Sequence, residues 1–142
     1  ELSGKMQSVL IIGAPGWGKT TLLRDLIRGL SNLDQHIAVV DERGEIFPPA
    51  ADFQMGTNTD VLTGCSKCQG VIFVLRAMSP DCIAVDEITA AEDCDGLIQA
   101  GWCGVSLLAT AHASAASLPL SMISIFPCLS ILRNAMVIAS RH

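Results

Sequence analysis

Residues 10–25, LIIGAPGWGKTTLLRD, constrain the fold more than any other part of the chain. An apolar run leads into a glycine-rich turn, and a helical pattern of leucines follows the turn. The turn fits G-x-x-x-x-G-K-[ST] at every fixed position, the pattern in which backbone amides and a lysine grip phosphate groups. The stretch therefore predicts a strand, a phosphate-binding loop and a helix, in that order.

The residues of this loop have expected parts in binding ATP. Lys19 should reach the β- and γ-phosphates, and Thr20 should ligate Mg²⁺. Trp17 is unusual because it stands between two glycines. Backbone amides supply most of the grip, so we expect binding to survive. The indole is expected to pack on local apolar surface or, alternatively, against a neighbouring subunit or the absent amino-terminal half. The predicted nucleotide-binding residues are Gly13, Ala14, Pro15, Gly16, Trp17, Gly18, Lys19, Thr20 and Thr21.

Length and composition favour one domain over residues 1–142, because the chain is too short for two ordinary ones. Half of the residues are hydrophobic and 16% are charged, which suits strands buried on both faces. The net charge of −5 argues against a nucleic-acid surface, which needs a basic footprint. No apolar run approaches the length of a membrane span. We expect a soluble cytoplasmic protein and, since the chain opens at Glu1, a C-terminal fragment whose amino-terminal domain is absent.

Short apolar runs alternate with amphipathic segments along the chain, and this alternation predicts an α/β fold with a parallel sheet covered on both faces. The predicted strands are 9–12, 37–40, 83–85, 105–109 and 136–139, and the predicted helices are 19–30, 68–78 and 92–100. Residues 46–65 are a long polar connection. Loops of that length are usually functional, so we expect part of it at a subunit or ligand surface.

Two carboxylates, Asp86 and Glu87, end the apolar strand in CIAVDEI. Asp86 could hold Mg²⁺ together with Thr20, and Glu87 could polarise the attacking water. Adjacent carboxylates repel each other unless a metal or a water network compensates. The alternative is a helix N-cap near Thr89. Beside an intact phosphate loop we favour chemistry, with Glu87 and Lys19 as the catalytic residues.

Three further features follow predicted strands or helices. The acidic box in VVDERGEI, residues Asp41, Glu42, Arg43 and Glu45, is either a solvated turn or a lining for the γ-phosphate side, with Arg43 meeting phosphate or a neighbouring subunit. Thr110 and His112 end another strand and could sense the γ-phosphate. Arg76 is either the ion-pair partner of a carboxylate near the site or an arginine finger acting in trans.

These motifs together resemble one family. The stretches VLIIGAPGWGKTTLLRDLIRGLS, IAVVDERGEI, MGTNTDVLTGCSKCQG, LRAMSPDCIAVDEI and AGWCGVSLLATAHASAASL are similar to stage III sporulation protein AA of endospore-forming bacteria. That family is similar in turn to the ATPases of type II and type IV secretion. Asn58 stands where the family commonly has arginine, Thr89 where it has glycine, and Trp17 where it has a small residue.

The resemblance implies a RecA-like (ASCE) P-loop NTPase with three α/β/α layers and strand order 5-1-4-3-2. It also implies ATP and Mg²⁺ as cofactors, a homo-oligomeric ring expected to be hexameric, and work in the mother-cell cytoplasm, peripherally at the membrane. Membrane proteins of the channel between mother cell and forespore are the implied partners, and no direct nucleic-acid contact is expected. Two alternatives stay open: a nucleotide-dependent assembly scaffold with incidental turnover, and a nucleic-acid-linked ATPase.

Overall fold

The computed structural model describes residues 6–112 with the exception of residue 90. Strands and helices follow one another in nearly regular alternation, as the sequence pattern predicts. The elements are β1 (Val9–Gly13), α1 (Lys19–Ser31), β2 (Ile37–Asp41), β3 (Thr59–Thr63), α2 (Lys67–Ala77), β4 (Cys82–Ile88), α3 (Ala91–Trp102) and β5 (Ser106–His112). The predicted strand at 136–139 lies outside the described residues.

All strand pairs in the sheet are parallel, and the order is β1-β5-β4-β2-β3. The four predicted strands that fall within the described residues have the relative order expected for them. The expectation that β2 forms an edge of the sheet is wrong, since β3 pairs along its outer side with Ile37 opposite Thr59. The α/β class with a parallel sheet is confirmed.

Strand β3 also corrects the prediction that residues 46–65 are a connection without regular structure. Its sequence, TDVLT, contains two apolar residues, and they point to opposite faces of the sheet: Val61 packs in the core beside α1, and Leu62 packs in the core beside α2. The other positions of this edge strand are polar and at least partly exposed. A continuous apolar run is therefore missing, and the sequence pattern did not reveal the strand.

The core lies in two layers, one on each face of the sheet. On one face, Leu23 and Ile27 of α1 are fully buried against the strands. On the other face, Val71 and Val74 of α2 pack with Leu97 of α3. Every residue of β2 is buried, because this strand is covered by helices on both faces and by a strand on each side.

Helix α2 lies unusually close to β2. A Cβ atom added to Gly70 would lie 2.5 Å from Cγ1 of Val40 and 2.9 Å from the sulfur of Cys65, so only glycine fits there. The hydroxyl of Ser66 accepts a hydrogen bond from the amide of Gln69 and caps the start of the helix. None of the helices in the described residues has the length and apolar character needed to cross a membrane.

Candidate functional site

The loop between β1 and α1 turns on two glycines with left-handed backbone. Gly16 and Gly18 each have φ of 78°, a region that costs other residues about 1–2 kcal/mol. Gly18 is also the N-cap of α1, so no side chain occupies the first amides of the helix, and no acidic residue lies in its first turn. The amides and the positive end of the helix dipole are therefore available to an anion.

Lys19 folds back over this loop. Its ammonium group donates to the carbonyl oxygen of Gly13 at 2.9 Å and to that of Ala14 at 3.0 Å. The amide of Trp17 donates to the same Ala14 carbonyl and closes the turn. Pro15 and Thr21 complete the predicted loop as partly or fully exposed residues. The positive charge of Lys19 is thus held within the loop itself.

Thr20 connects the loop to the acidic strand end. Its hydroxyl donates to Oδ2 of Asp86 at 2.9 Å, although the two residues are 66 positions apart. A hydroxyl and a carboxylate are the oxygen ligands that Mg²⁺ accepts, with water and phosphate completing its shell. Within the described part of the chain no cluster of three or more His, Cys, Asp or Glu side chains that could hold a metal ion occurs.

Thr110 holds the two carboxylate residues in place. Its buried hydroxyl donates to Oδ1 of Asp86 and accepts the backbone N–H of Glu87 at 2.7 Å. The register between β4 and β5 shifts between Val85 and Ile88, which releases this N–H from the regular ladder. Glu87 itself has φ of 44°, a backbone conformation that is strained for a residue with a side chain.

The side chain of Glu87 contacts His112, with Oε1 of the carboxylate against Nε2 of the imidazole. His112 lies opposite Gly13 in the β1–β5 pairing, which brings the histidine to the start of the phosphate loop. A cleft of about 450 Å³ runs between the loop and these groups, and its walls include Thr20, Asp86 and Thr110. The structure thus places the predicted loop, metal-ligand, catalytic and sensor residues along one cleft.

The residues of the acidic box lie in different surroundings and make different contacts. Asp41 is buried, and its carboxylate accepts the backbone amides of Glu45 at 2.9 Å and of Ile46 and Phe47 at 3.0 Å. Glu42 forms an ion pair with Lys67 at 3.0 Å. Among the described residues of the box, Glu45 alone lines the cleft beside the phosphate loop. Asp41 therefore shapes the box, because its oxygens are already bonded to three amides.

Arg43 and Arg76 are both exposed, but they lie in different places. Arg43 lines a small cavity of about 30 Å³ that also touches Asp86 and Glu87. Arg76 lies in the last turn of α2. Because α2 runs back from the carboxyl ends of the strands, its nine residues from Lys67 carry Arg76 about 13 Å away from that edge. Arg76 pairs with no carboxylate among the described residues, and its part at the site stays a prediction.

Three residues that support the site were not predicted from the sequence: Arg24, Phe53 and Lys67. Arg24 of α1 donates to the backbone carbonyls of Glu45, at 2.9 Å, and Ile46, and its guanidinium lies 4.2 Å from the ring centroid of Phe53. Lys67 is largely buried between the acidic box and α3. These contacts join parts of the chain that are distant in sequence, so no local pattern indicates them. The available sign was that Phe53 lies in the 46–65 connection, part of which was expected at a subunit or ligand surface.

The fold is similar to those of solved secretion ATPases, among them VirB11 and DotB. The VirB11 ATPase from the type IV secretion system of Brucella suis, solved in complex with sulphate, has a TM-score of 0.63 and 22% identity, and the match covers 86% of this chain and 35% of that chain. The ATPase DotB of Legionella pneumophila has a TM-score of 0.62 and 26% identity, covering 78% of this chain and 31% of that chain. The RecA-like class expected for the domain is therefore confirmed.

The family comparison agrees with the motifs. A sequence model of the family described as "Sporulation stage III, protein AA" matches residues 2–127. Stage III sporulation protein AA of Bacillus subtilis (strain 168) is 44% identical over 113 residues, which cover 74% of this chain and 37% of that protein. The chain thus spans little more than a third of the length of this relative. On the extent of both matches, the chain belongs to the sporulation stage III protein AA family.

Proposed function

We propose that this chain is a Mg²⁺-dependent ATP hydrolase that energises a secretion-like channel between mother cell and forespore during sporulation. The observation that carries the proposal is the hydrogen bond between Thr20 and Asp86, which joins the phosphate loop to the acidic strand end. Glu87 and His112 line the same cleft. The likeness to VirB11 and DotB, both ATPases by name, supports the proposal.

Phosphate binding begins at the loop. The open amides at the start of α1 receive the phosphate oxygens, and Lys19 neutralises charge on the β- and γ-phosphates. Lys19 donates to two neutral carbonyl oxygens, those of Gly13 and Ala14. An anionic phosphate is the stronger acceptor, so the ammonium group exchanges these partners for phosphate when ATP binds.

Thr20 and Asp86 would hold Mg²⁺, and their oxygens already lie within hydrogen-bond distance of each other. When bound, the ion would neutralise negative charge on the phosphates. Asp86 keeps its orientation because its other oxygen accepts from Thr110 and from the amide of Glu87. The metal-facing oxygen of Asp86 is therefore fixed by protein groups on the opposite side of the carboxylate.

Glu87 orients and polarises the attacking water. Its strained backbone is fixed by the hydrogen bond from its N–H to Thr110, and its carboxylate contacts His112. The contact with His112 is made through Oε1 and therefore limits the positions at which the carboxylate can accept a water. We infer that a γ-phosphate attracts the imidazole of His112, which frees Glu87 for water; His112 and Thr110 thereby sense the nucleotide state.

We propose that the assembled enzyme is a hexameric homo-oligomeric ring. It would act in the mother-cell cytoplasm, at the membrane, and its partners would be membrane proteins of the sporulation channel. Arg43 and Arg76 have exposed side chains, so either could reach the active site of a neighbouring subunit. Turnover per subunit that rises steeply with protein concentration would indicate such shared sites.

The test is a pair of variants. Glu87→Gln should retain ATP binding and lose turnover, because the amide cannot accept the water's proton. Lys19→Ala should weaken both, because it removes charge from the phosphate site. ATP affinity by calorimetry and phosphate release by a steady-state assay separate the two effects. A Glu87→Gln variant with full activity would show that the mechanism is wrong.

A further inference from the structure

We propose that a cavity beside the phosphate loop, bounded by Trp17, Phe53 and Arg24, binds the purine base of the nucleotide. This inference rests on the proposed ATP-binding function. The cavity has a volume of about 760 Å³, within the range of about 300–1,000 Å³ typical of small-molecule sites. It is separate from the cleft that contains the acidic pair, but Gly18, Lys19 and Thr21 line both.

Because Gly18, Lys19 and Thr21 line both spaces, a nucleotide bound at the loop could place its base on either side of them. A nucleotide with its phosphates on the loop extends from the loop through its ribose. On the cleft side, Asp86 and Glu87 occupy the space required for the metal and water. On the other side, past Thr21, the walls become apolar, with Ile11, Ile12 and Leu22 in the lining. An uncharged heterocycle suits the second side, because burying it there removes apolar surface from water.

Two large aromatic side chains face this cavity while remaining open to solvent. Trp17 is 51% exposed and Phe53 is 42% exposed, although both lie beside buried core residues. Aromatic rings at a nucleotide site provide stacking surface that accepts any flat base, and one such contact typically changes affinity by about tenfold. The indole of Trp17 would therefore stack on the base, a role separate from the binding of phosphate by backbone amides.

Phe53 is held in position from α1. The guanidinium of Arg24 lies 4.2 Å from the ring centroid of Phe53, and the same group bonds the carbonyls of Glu45 and Ile46. Helix α1 begins at the phosphate loop, so Arg24 fixes Phe53 relative to the phosphates. Such a braced ring loses little freedom when a base binds, which favours affinity.

The experiment measures the fluorescence emission of Trp17, which reports whether a base lies against the indole. The chain contains two tryptophans, and Trp102, 80% exposed at the end of α3, can be removed by Trp102→Phe. In this background, Mg²⁺-ATP should change the emission of Trp17, whereas Mg²⁺-tripolyphosphate, which has phosphates but no base, should leave it nearly unchanged. We expect ATP to bind about tenfold more tightly than tripolyphosphate.

Calorimetry on the otherwise natural chain completes the test. Trp17→Ala and Phe53→Ala should each lower the affinity for ATP by about five- to tenfold without changing that for tripolyphosphate. Phe73→Ala is the matched control, since Phe73 is an exposed aromatic of α2 outside the cavity, and it should change neither affinity.

The possible outcomes separate this inference from the proposed function. Equal affinity and equal emission with ATP and tripolyphosphate would overturn the base site and leave the phosphate loop intact. Binding of neither compound would overturn both proposals. The emission of Trp17 could instead change with protein concentration and be the same with ATP and with tripolyphosphate. That result would place Trp17 at a contact between copies of the chain and would contradict the base site.

Discussion

The hydroxyl of Thr110 donates a hydrogen bond to the carboxylate of Asp86, and this contact links the ends of β5 and β4. Thr110 is fully buried and also accepts the amide of Glu87. The residue expected to sense the nucleotide thus supports both acidic residues directly. Any displacement of β5 at Thr110 therefore acts on Asp86 and Glu87 together.

Replacing Thr110 with valine should lower turnover by up to about 10²-fold, since catalytic groups tolerate little misplacement. Valine has nearly the same shape but removes the donor to the Asp86 carboxylate and one of the two acceptors of the Glu87 amide, which should also cost about 1–3 kcal/mol in the free energy of unfolding. Thr110→Ser retains the hydroxyl and serves as the control. Phosphate-release assays and urea denaturation measure the two effects, and equal turnover in the valine and serine variants would contradict this assignment.

Asp41→Asn should destabilise the acidic box. The carboxylate of Asp41 accepts three backbone amides, and an asparagine offers a single acceptor oxygen and would direct an NH₂ group at amide donors. Loss of charge-assisted bonds at a buried site should cost about 2–3 kcal/mol in unfolding free energy. Glu42→Gln, which breaks a partly exposed ion pair with Lys67, should cost less than about 1 kcal/mol. Similar losses in both variants would show that Asp41 has no special role.

Arg24→Lys should loosen the segment around Phe53. Lysine keeps the positive charge but has no planar group to stack on the ring while bonding two carbonyls. We expect faster cleavage of residues 48–58 in limited proteolysis and weaker ATP binding. Arg28→Lys is the control for cleavage, because Arg28 forms an exposed ion pair with Asp25 on the same helix. Identical cleavage in the two variants would argue against a bracing role for Arg24.

Cys82 should make the protein less stable at alkaline pH. Burial, followed by the charge of Asp81, raises the pKa of the Cys82 thiol from 9.0 to about 12. Between these values the unfolded chain has lost the thiol proton and the folded chain retains it. This contribution to stability is therefore complete below pH 9 and declines above it by up to about 1.4 kcal/mol per pH unit.

Urea denaturation at pH 9 and pH 10.5 tests this dependence. Cys82→Ala should lose less stability between the two pH values than the natural chain, even though its stability at pH 9 is lower. Cys103→Ala changes an exposed thiol and should behave like the natural chain. The same pH dependence in all three proteins would exclude Cys82 as the cause.

Much of the fold was predictable because its signals are local. The apolar runs predicted β1, β2, β4 and β5, whose parallel pairing the structure bears out, and the glycine pattern placed the phosphate loop between β1 and α1. Strand β3 was missed because an edge strand needs few apolar residues. Asp86 and Glu87 were recognisable because two adjacent carboxylates at the end of an apolar strand repel each other unless a metal or a water network compensates.

The amino-acid sequence by itself determined the alternation of elements, the chemistry of the loop and the edge of the sheet at which the charged residues gather. Only the tertiary structure decided which of those residues touch: Thr110 with Asp86, Glu87 with His112, and Arg24 with Phe53. The physical reason is that periodicity reports which face of an element is buried, whereas side-chain contacts depend on register, crossing geometry and close packing between segments distant in sequence.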